Sequence, residues 1–255
     1  MGDGGTRHRM QLEICVDSVE SAIAAQRGGA DRLELCGNLI IGGTTPDPAL
    51  LREIRRQVHI PVRTMIRPRY GDFCYSESEF RIMCEDVRMF RELGADGIVI
   101  GMMHPDGTLD VERMGELIRR AKGMGITLHR CFDLCRDPFR ALEEAVCLGV
   151  DIVLTSGQAQ TAAEAPERLR ELHGQAAGRI LIQAGSGVTA ENIGMIYSQT
   201  GITAYHMSGK ETLESRMEYR REGVSMGLPS FSEFEMMHTD ERNVRRAREV
   251  LDHLL

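Results

Sequence analysis

Two short stretches of the chain carry the same pattern. Glu13-Ile14-Cys15 and Glu34-Leu35-Cys36 repeat Glu-x-Cys 21 residues apart. A carboxylate can move protons, and a thiolate binds a soft ion such as Cu(I). In an extended strand residues two apart share a face. Leu12, Ile14 and Val16 then point one way, as do Leu33 and Leu35, while Glu13, Cys15, Glu34 and Cys36 point the other. The same alternation puts Met65 and Arg67 on the inner face of a third stretch and Thr127, His129 and Cys131 on that of a fifth. It adds Gln183 on a seventh, and His206 and Ser208 on an eighth.

Three kinds of chemistry fit these residues. Glu13, Glu34, Arg67 and His129 form an acid/base set, because a carboxylate beside Arg and His can be tuned for proton transfer. Cys15 and Cys36 end neighbouring strands about 4.8 Å apart, a spacing that suits Cu(I). Gly185-Ser186-Gly187 and Ser208-Gly209 follow the last two strands, where backbone N–H groups can cradle an anion. Arg67 and Arg69 would answer a substrate's negative charge. Each set also has a plainer reading: a satisfied ionic network, two small buried cysteines, and two tight turns that need glycine. The triplets Met102-Met103-His104 and Met236-Met237-His238 read as gap-filling packing in a chain with 15 Met.

The elements that position these residues repeat one unit, a short apolar strand followed by an amphipathic helix. Strands are expected at Leu12–Val16, Arg32–Cys36, Val62–Arg67, Gly97–Gly101, Ile126–Arg130, Ile152–Thr155, Ile180–Ala184 and Ala204–Ser208. Helix endings such as Leu93-Gly94-Ala95-Asp96 and Leu148-Gly149-Val150-Asp151 place Gly just past a helix and lead into a strand. Eight such units in 255 residues predict one α/β domain, a (β/α)8 TIM barrel over residues 11–255 after a disordered tail over Met1–Met10. Between Gly209 and Thr239 no period is visible, so a long irregular segment is expected before the last helix. Its Phe231, Phe234, Met236 and Met237 point to a homodimer or higher homo-oligomer.

Composition limits the partners. The net charge is −7 and there is no basic stripe, which argues against nucleic acid. No apolar run is long enough to span a membrane. Seven cysteines with no signal peptide ahead of them suit a reducing cytoplasm.

Several segments together resemble the CutC family of copper homeostasis proteins. They are Glu13 to Ser18, Gly28 to Cys36, Gly42-Gly43-Thr44-Thr45-Pro46, Met65 to Arg69, Gly71-Asp72-Phe73, His129-Arg130 with Phe132-Asp133, Leu154 to Gly157, and Gly185-Ser186-Gly187. The resemblance spans about residues 11–210. It implies a (β/α)8 barrel, cytoplasmic copper handling, and Cu(I) held by Cys15 and Cys36. One departure stands out. Tyr70 occupies a position where the family often has Gly, in the loop after the third strand, where it would narrow the mouth. Two readings stay open: a Cu(I)-binding protein, and a barrel lyase, isomerase or hydrolase acting on a small anionic metabolite.

Overall fold

Strands β1 to β8 are Gln11–Val16, Arg32–Leu35, Val62–Met65, Gly97–Ile100, Gly125–Leu128, Ile152–Thr155, Leu181–Ala184 and Ala204–Met207. All pair in parallel, and β8 returns to β1 to close the barrel. Helices α1 to α8 are Val19–Gly28, Pro48–Arg55, Glu77–Glu92, Val111–Ala121, Pro138–Leu148, Pro166–Ala176, Ala190–Thr200 and Glu241–His253. The computed structural model describes residues 9–221, 223, 224, 226 and 231–254.

The expected strands are all present, most of them a residue or two shorter at the C-terminal end. The expected tail lies outside the described residues up to position 8. Its last residue, Met10, is fully buried, and its carbonyl accepts from Arg248 Nη1 at 2.9 Å.

The segment expected to be irregular contains a two-stranded ribbon. Strand β9 (Lys210–Glu214) pairs antiparallel with β10 (Glu235–Thr239). Its side chains face solvent on most positions, so no apolar alternation marked it in the sequence. The ribbon rises from the C-terminal end of β8, and Lys210 and residues 235–239 form one wall of the mouth.

Aliphatic side chains of the strands pack outward under the helices, and all of Leu12, Ile14, Val16, Leu33 and Leu35 are fully buried there. The inner face is different. It carries Glu13, Arg32, Glu34, Arg63, Thr127, Gln183 and His206, and glycines make room for the largest of them. A Cβ at Gly125 would lie 2.4 Å from Arg63 Nη2, and one at Gly97 would lie 2.7 Å from Arg63 Cγ. Arg63 crosses this space to donate to Thr127 Oγ1 at 2.6 Å. The floor of the barrel is therefore plugged by an arginine.

This packing predicts that Gly125→Ala displaces the Arg63 guanidinium and lowers stability by about 1–3 kcal/mol, as overpacking does. Urea unfolding of Gly125→Ala against wild type measures it. An unchanged midpoint would show that the floor yields freely.

Candidate functional site

The register of the first two strands decides which inward side chains meet. Cα of Cys15 lies opposite Glu34, and Glu13 lies opposite Arg32. On the other side of β1, Glu13 lies opposite His206. Glu13 thus sits between two cationic groups. Its Oε2 accepts from Arg32 Nε, and its Oε1 is 2.8 Å from His206 Nδ1. The other ring nitrogen of His206, Nε2, is 3.7 Å from Glu34 Oε2. Cys36 Sγ donates to that same Glu34 oxygen at 3.6 Å. Arg32, Glu13, His206, Glu34 and Cys36 form one connected chain inside the barrel.

Burial alone would raise the Glu13 carboxyl, but Arg32 and His206 hold it well below the usual carboxylate range. Burial alone would make His206 neutral. The Glu34 carboxylate, the Cys15 thiol and the bond to Glu13 overcome that and push the ring well above its ordinary value. Glu34 is raised, first by burial and then by Glu13, with His206 acting against them. Its Oε1 is buried with no hydrogen-bond partner among the described residues.

Above these groups opens a cavity of about 1190 Å³, lined among others by Cys15, Glu34, His129, His206, Ser208 and Lys210. His129 lies just past β5, where its Nδ1 accepts from the Cys131 backbone N–H at 3.2 Å and caps a short 3-10 turn, Arg130–Leu134. Burial, and then the nearby Arg67 guanidinium, push its pKa down to about 3. Cys131 packs into the outer apolar core.

The two cysteines lie at different heights, with Cα of Cys15 opposite Glu34 rather than Cys36. Cys15 Sγ, a Glu34 oxygen and a His206 nitrogen lie within 4.8 Å of one another, a grouping in which Cys36 has no part. Cys36 sits higher on its strand, fully buried among Met65, Val99 and Leu39. Burial, and then the neighbouring Glu34, push its thiol well above the ordinary value, which opposes the thiolate a metal needs.

Both arginines expected to meet a substrate's charge have other partners. Arg67 donates to the carbonyls of Gly42, Gly43 and Gly71 at 3.2, 2.8 and 3.0 Å. It ties two glycine-containing loops into the rim, stacks 5.0 Å from the Phe73 ring, and still lines the cavity. Arg69 pairs with Asp72 and Glu79 at 2.9 and 2.6 Å and faces a separate groove, away from the mouth. Tyr70 is 67% exposed and does not line the mouth, so it does not narrow it.

The glycine turns are divided. The Gly185 amide already donates to Thr155 O at 3.0 Å, and Ser186 Oγ donates to Gln160 O at 2.8 Å. The amides of Gly187, Ser208 and Gly209 have no acceptor among the described residues, and all three residues line the cavity near Thr189, the N-cap of α7, and Lys210.

Sequence reasoning named His206 as inward but gave it no role, and it overlooked Arg32. The alternation that exposes Glu34 also exposes Arg32, two residues earlier. Asp133 escaped for a different reason. It lies in the 3-10 turn, where no strand period applies. There it accepts from the amides of Ser156 and Gln158 at 3.1 and 3.2 Å and pairs with Arg130 at 2.8 Å, fixing that rim.

The Glu13 pairing has a signed consequence. A carboxyl held down in the folded state contributes stability above its ordinary value of 4.5 and loses it as pH falls. Glu13→Gln should therefore cost about 3–5 kcal/mol near neutrality, since it leaves Arg32 and His206 uncompensated. The gap to wild type should close progressively as pH drops below 4.5. Urea unfolding of both proteins over a pH series reads this, and a gap independent of pH would contradict the pairing.

Comparison with known proteins agrees with this architecture. The CutC family model matches residues 10–211. A family protein CutC from Bacteroides thetaiotaomicron is 44% identical over 247 residues, covering 96% of each chain. A human protein named copper homeostasis protein cutC homolog is 42% identical over 255 residues, covering all of this chain and 93% of that one. The crystal structure of a CutC protein from Streptococcus agalactiae superposes with a TM-score of 0.75 at 32% identity, covering 78% of this chain and 98% of that one. Closed barrel, motif order and these likenesses agree: the chain belongs to the CutC family.

Proposed function

We propose that this protein is an enzyme that moves a proton on a small anionic metabolite held in the barrel mouth. One observation carries the reading. Glu34 lines a large cavity with a raised pKa and an unpartnered oxygen, next to a His206 whose pKa is pushed up by Glu34, then Cys15, then Glu13. Environments that push neighbouring titratable groups apart are what acid/base chemistry near neutral pH requires. Glu34 would take or give the proton. His206, backed by Glu13 and Arg32, would steady its charge. The free amides of Gly187, Ser208 and Gly209, with Lys210, would hold the anionic end. Arg67 and His129 would shape the opposite wall.

A second reading is copper handling, as the names of the relatives say of them. What favours it is the Cys15, Glu34 and His206 grouping. One thiolate, one imidazole and one carboxylate make a donor set less soft than the two thiolates Cu(I) prefers. The seven free cysteines support a cytoplasmic setting for either activity.

A matched set of variants separates the two. Deuterium incorporation from D2O into a panel of phosphorylated and carboxylated metabolites should fall about a hundredfold or more in Glu34→Gln. Cys15→Ser and Cys36→Ser should stay within about tenfold of wild type. Exchange that survives in Glu34→Gln sinks the enzyme reading. In an anaerobic Cu(I) competition titration, equal uptake by wild type and the double Cys15→Ser/Cys36→Ser variant sinks the copper reading.

The exposed Leu213, Met236 and Met237 on the ribbon support a homo-oligomer as the working form. Light scattering at micromolar concentration should give a dimer or larger, and a monomer mass would remove this part.

A further inference from the structure

The wall opposite Glu34 holds a second orphaned group. His129 is 4% exposed and lines the cavity, and its Nε2 is buried with no hydrogen-bond partner among the described residues. Its Nδ1 accepts from the Cys131 N–H at 3.2 Å. A ring nitrogen that accepts carries no proton, so in a neutral imidazole the proton is on Nε2. His129 is thereby a fixed donor with nothing to donate to. A buried donor left unpaired costs about 1–3 kcal/mol, which a ligand acceptor would recover.

The surroundings keep the ring from charging. Arg67, from the loop after β3, is the charged group beside it. Phe73 lies over it, ring centroids 4.9 Å apart, and presents no acceptor. On the β4 side comes Gly101, where a Cβ would lie 2.5 Å from His129 Cε1, so no side chain intervenes. Cys131 offers only its amide and a thiol that burial, and then Cys135 and Asp133, hold protonated. Among the described residues no carboxylate within hydrogen-bond reach of the ring offsets Arg67.

We infer that His129 acts as a neutral hydrogen-bond donor to a substrate carbonyl oxygen, so that the site takes an anionic carbonyl compound and enolises it. This rests on the proton-transfer reading of Glu34. The step balances without a co-reactant. A proton on the carbon next to the carbonyl passes to the Glu34 carboxylate. The C–H electron pair forms the C=C bond, and the carbonyl π pair moves onto oxygen. The oxygen becomes an enolate held by His129 Nε2–H, and Glu34 returns a proton to the same carbon as the C=O re-forms. A neutral imidazole suits this role because it stabilises the enolate without surrendering its proton. It also reverses the expected use of His129 as a base.

Two-bond 1H–15N spectra of histidine-labelled protein test the donor directly. His129 should show the Nε2–H tautomer and stay neutral from about pH 5 to about pH 9. Phosphoglycolate is the probe, because its carboxylate imitates an enolate and its phosphate suits the amide end of the cavity. Its addition should shift the Nε2 proton. His129→Gln, which keeps an N–H donor, should hold the probe within about threefold of wild type, and His129→Ala should weaken it about tenfold or more. An Nδ1–H tautomer, titration near the ordinary 6.5, or an Nε2 proton unmoved by the probe overturns the inference. The proton-transfer reading fails separately, through deuterium exchange that persists in Glu34→Gln.

Discussion

The placement of Glu13 between Arg32 and His206 is the interaction on which the mouth depends. A carboxylate taken out of water is very costly unless paired, and here both oxygens are paired. His206 sits between the two carboxyls, and Glu34 first, then Cys15 and the bond to Glu13, push its pKa up. Glu34 is thus the end of a chain of alternating charge rather than an isolated acid. Glu13 and Arg32 lie behind the cavity lining and act on it through His206.

A second constraint is space. An eight-stranded barrel is just wide enough for side chains to fill it. Large polar groups fit only where inward neighbours are small. Gly97 and Gly125 admit Arg63 at the floor, Gly101 admits the His129 ring, and Gly185 leaves its place to Leu154, whose Cδ1 would lie 2.5 Å from a Cβ there. The glycines of the inner face and the charged residues are one design. In Gly185-Ser186-Gly187, which looked like an anion turn, Gly185 serves this packing and donates its amide to Thr155 O, while Gly187 lines the cavity with no acceptor for its amide among the described residues.

This explains what could be read from the sequence. The barrel was legible because most strands have an apolar face two residues apart and several helices end on a glycine turn, as at Gly29, Gly94 and Gly149. Glu13, Glu34, His129, Gln183 and His206 were legible as inward residues by the same alternation. Height within the barrel was not. Cys15 and Cys36 hold equal places in their Glu-x-Cys repeats, but strand stagger sets Cys15 opposite Glu34 and leaves Cys36 a step above. Arg67 and Arg69 lie beyond β3, where the strand period no longer applies. Their partners are loop carbonyls and carboxylates that only folding brings near. The β9–β10 ribbon, solvated on both faces, had no pattern to read.

Four titratable groups inside the barrel, Glu13, Glu34, His129 and His206, are sorted by their neighbours rather than by type. Two glutamates two positions deep on adjacent strands end up with opposite shifts, because Glu13 has two cationic partners and Glu34 shares only one. Two histidines end up with opposite shifts as well, because His206 faces carboxylates and His129 faces a guanidinium. A purely structural network would gain nothing from leaving Glu34 Oε1 and His129 Nε2 without partners. Both residues line one cavity, Glu34 with its pKa raised and His129 with its pKa lowered. The two stand at the end where barrels of this architecture place their chemistry.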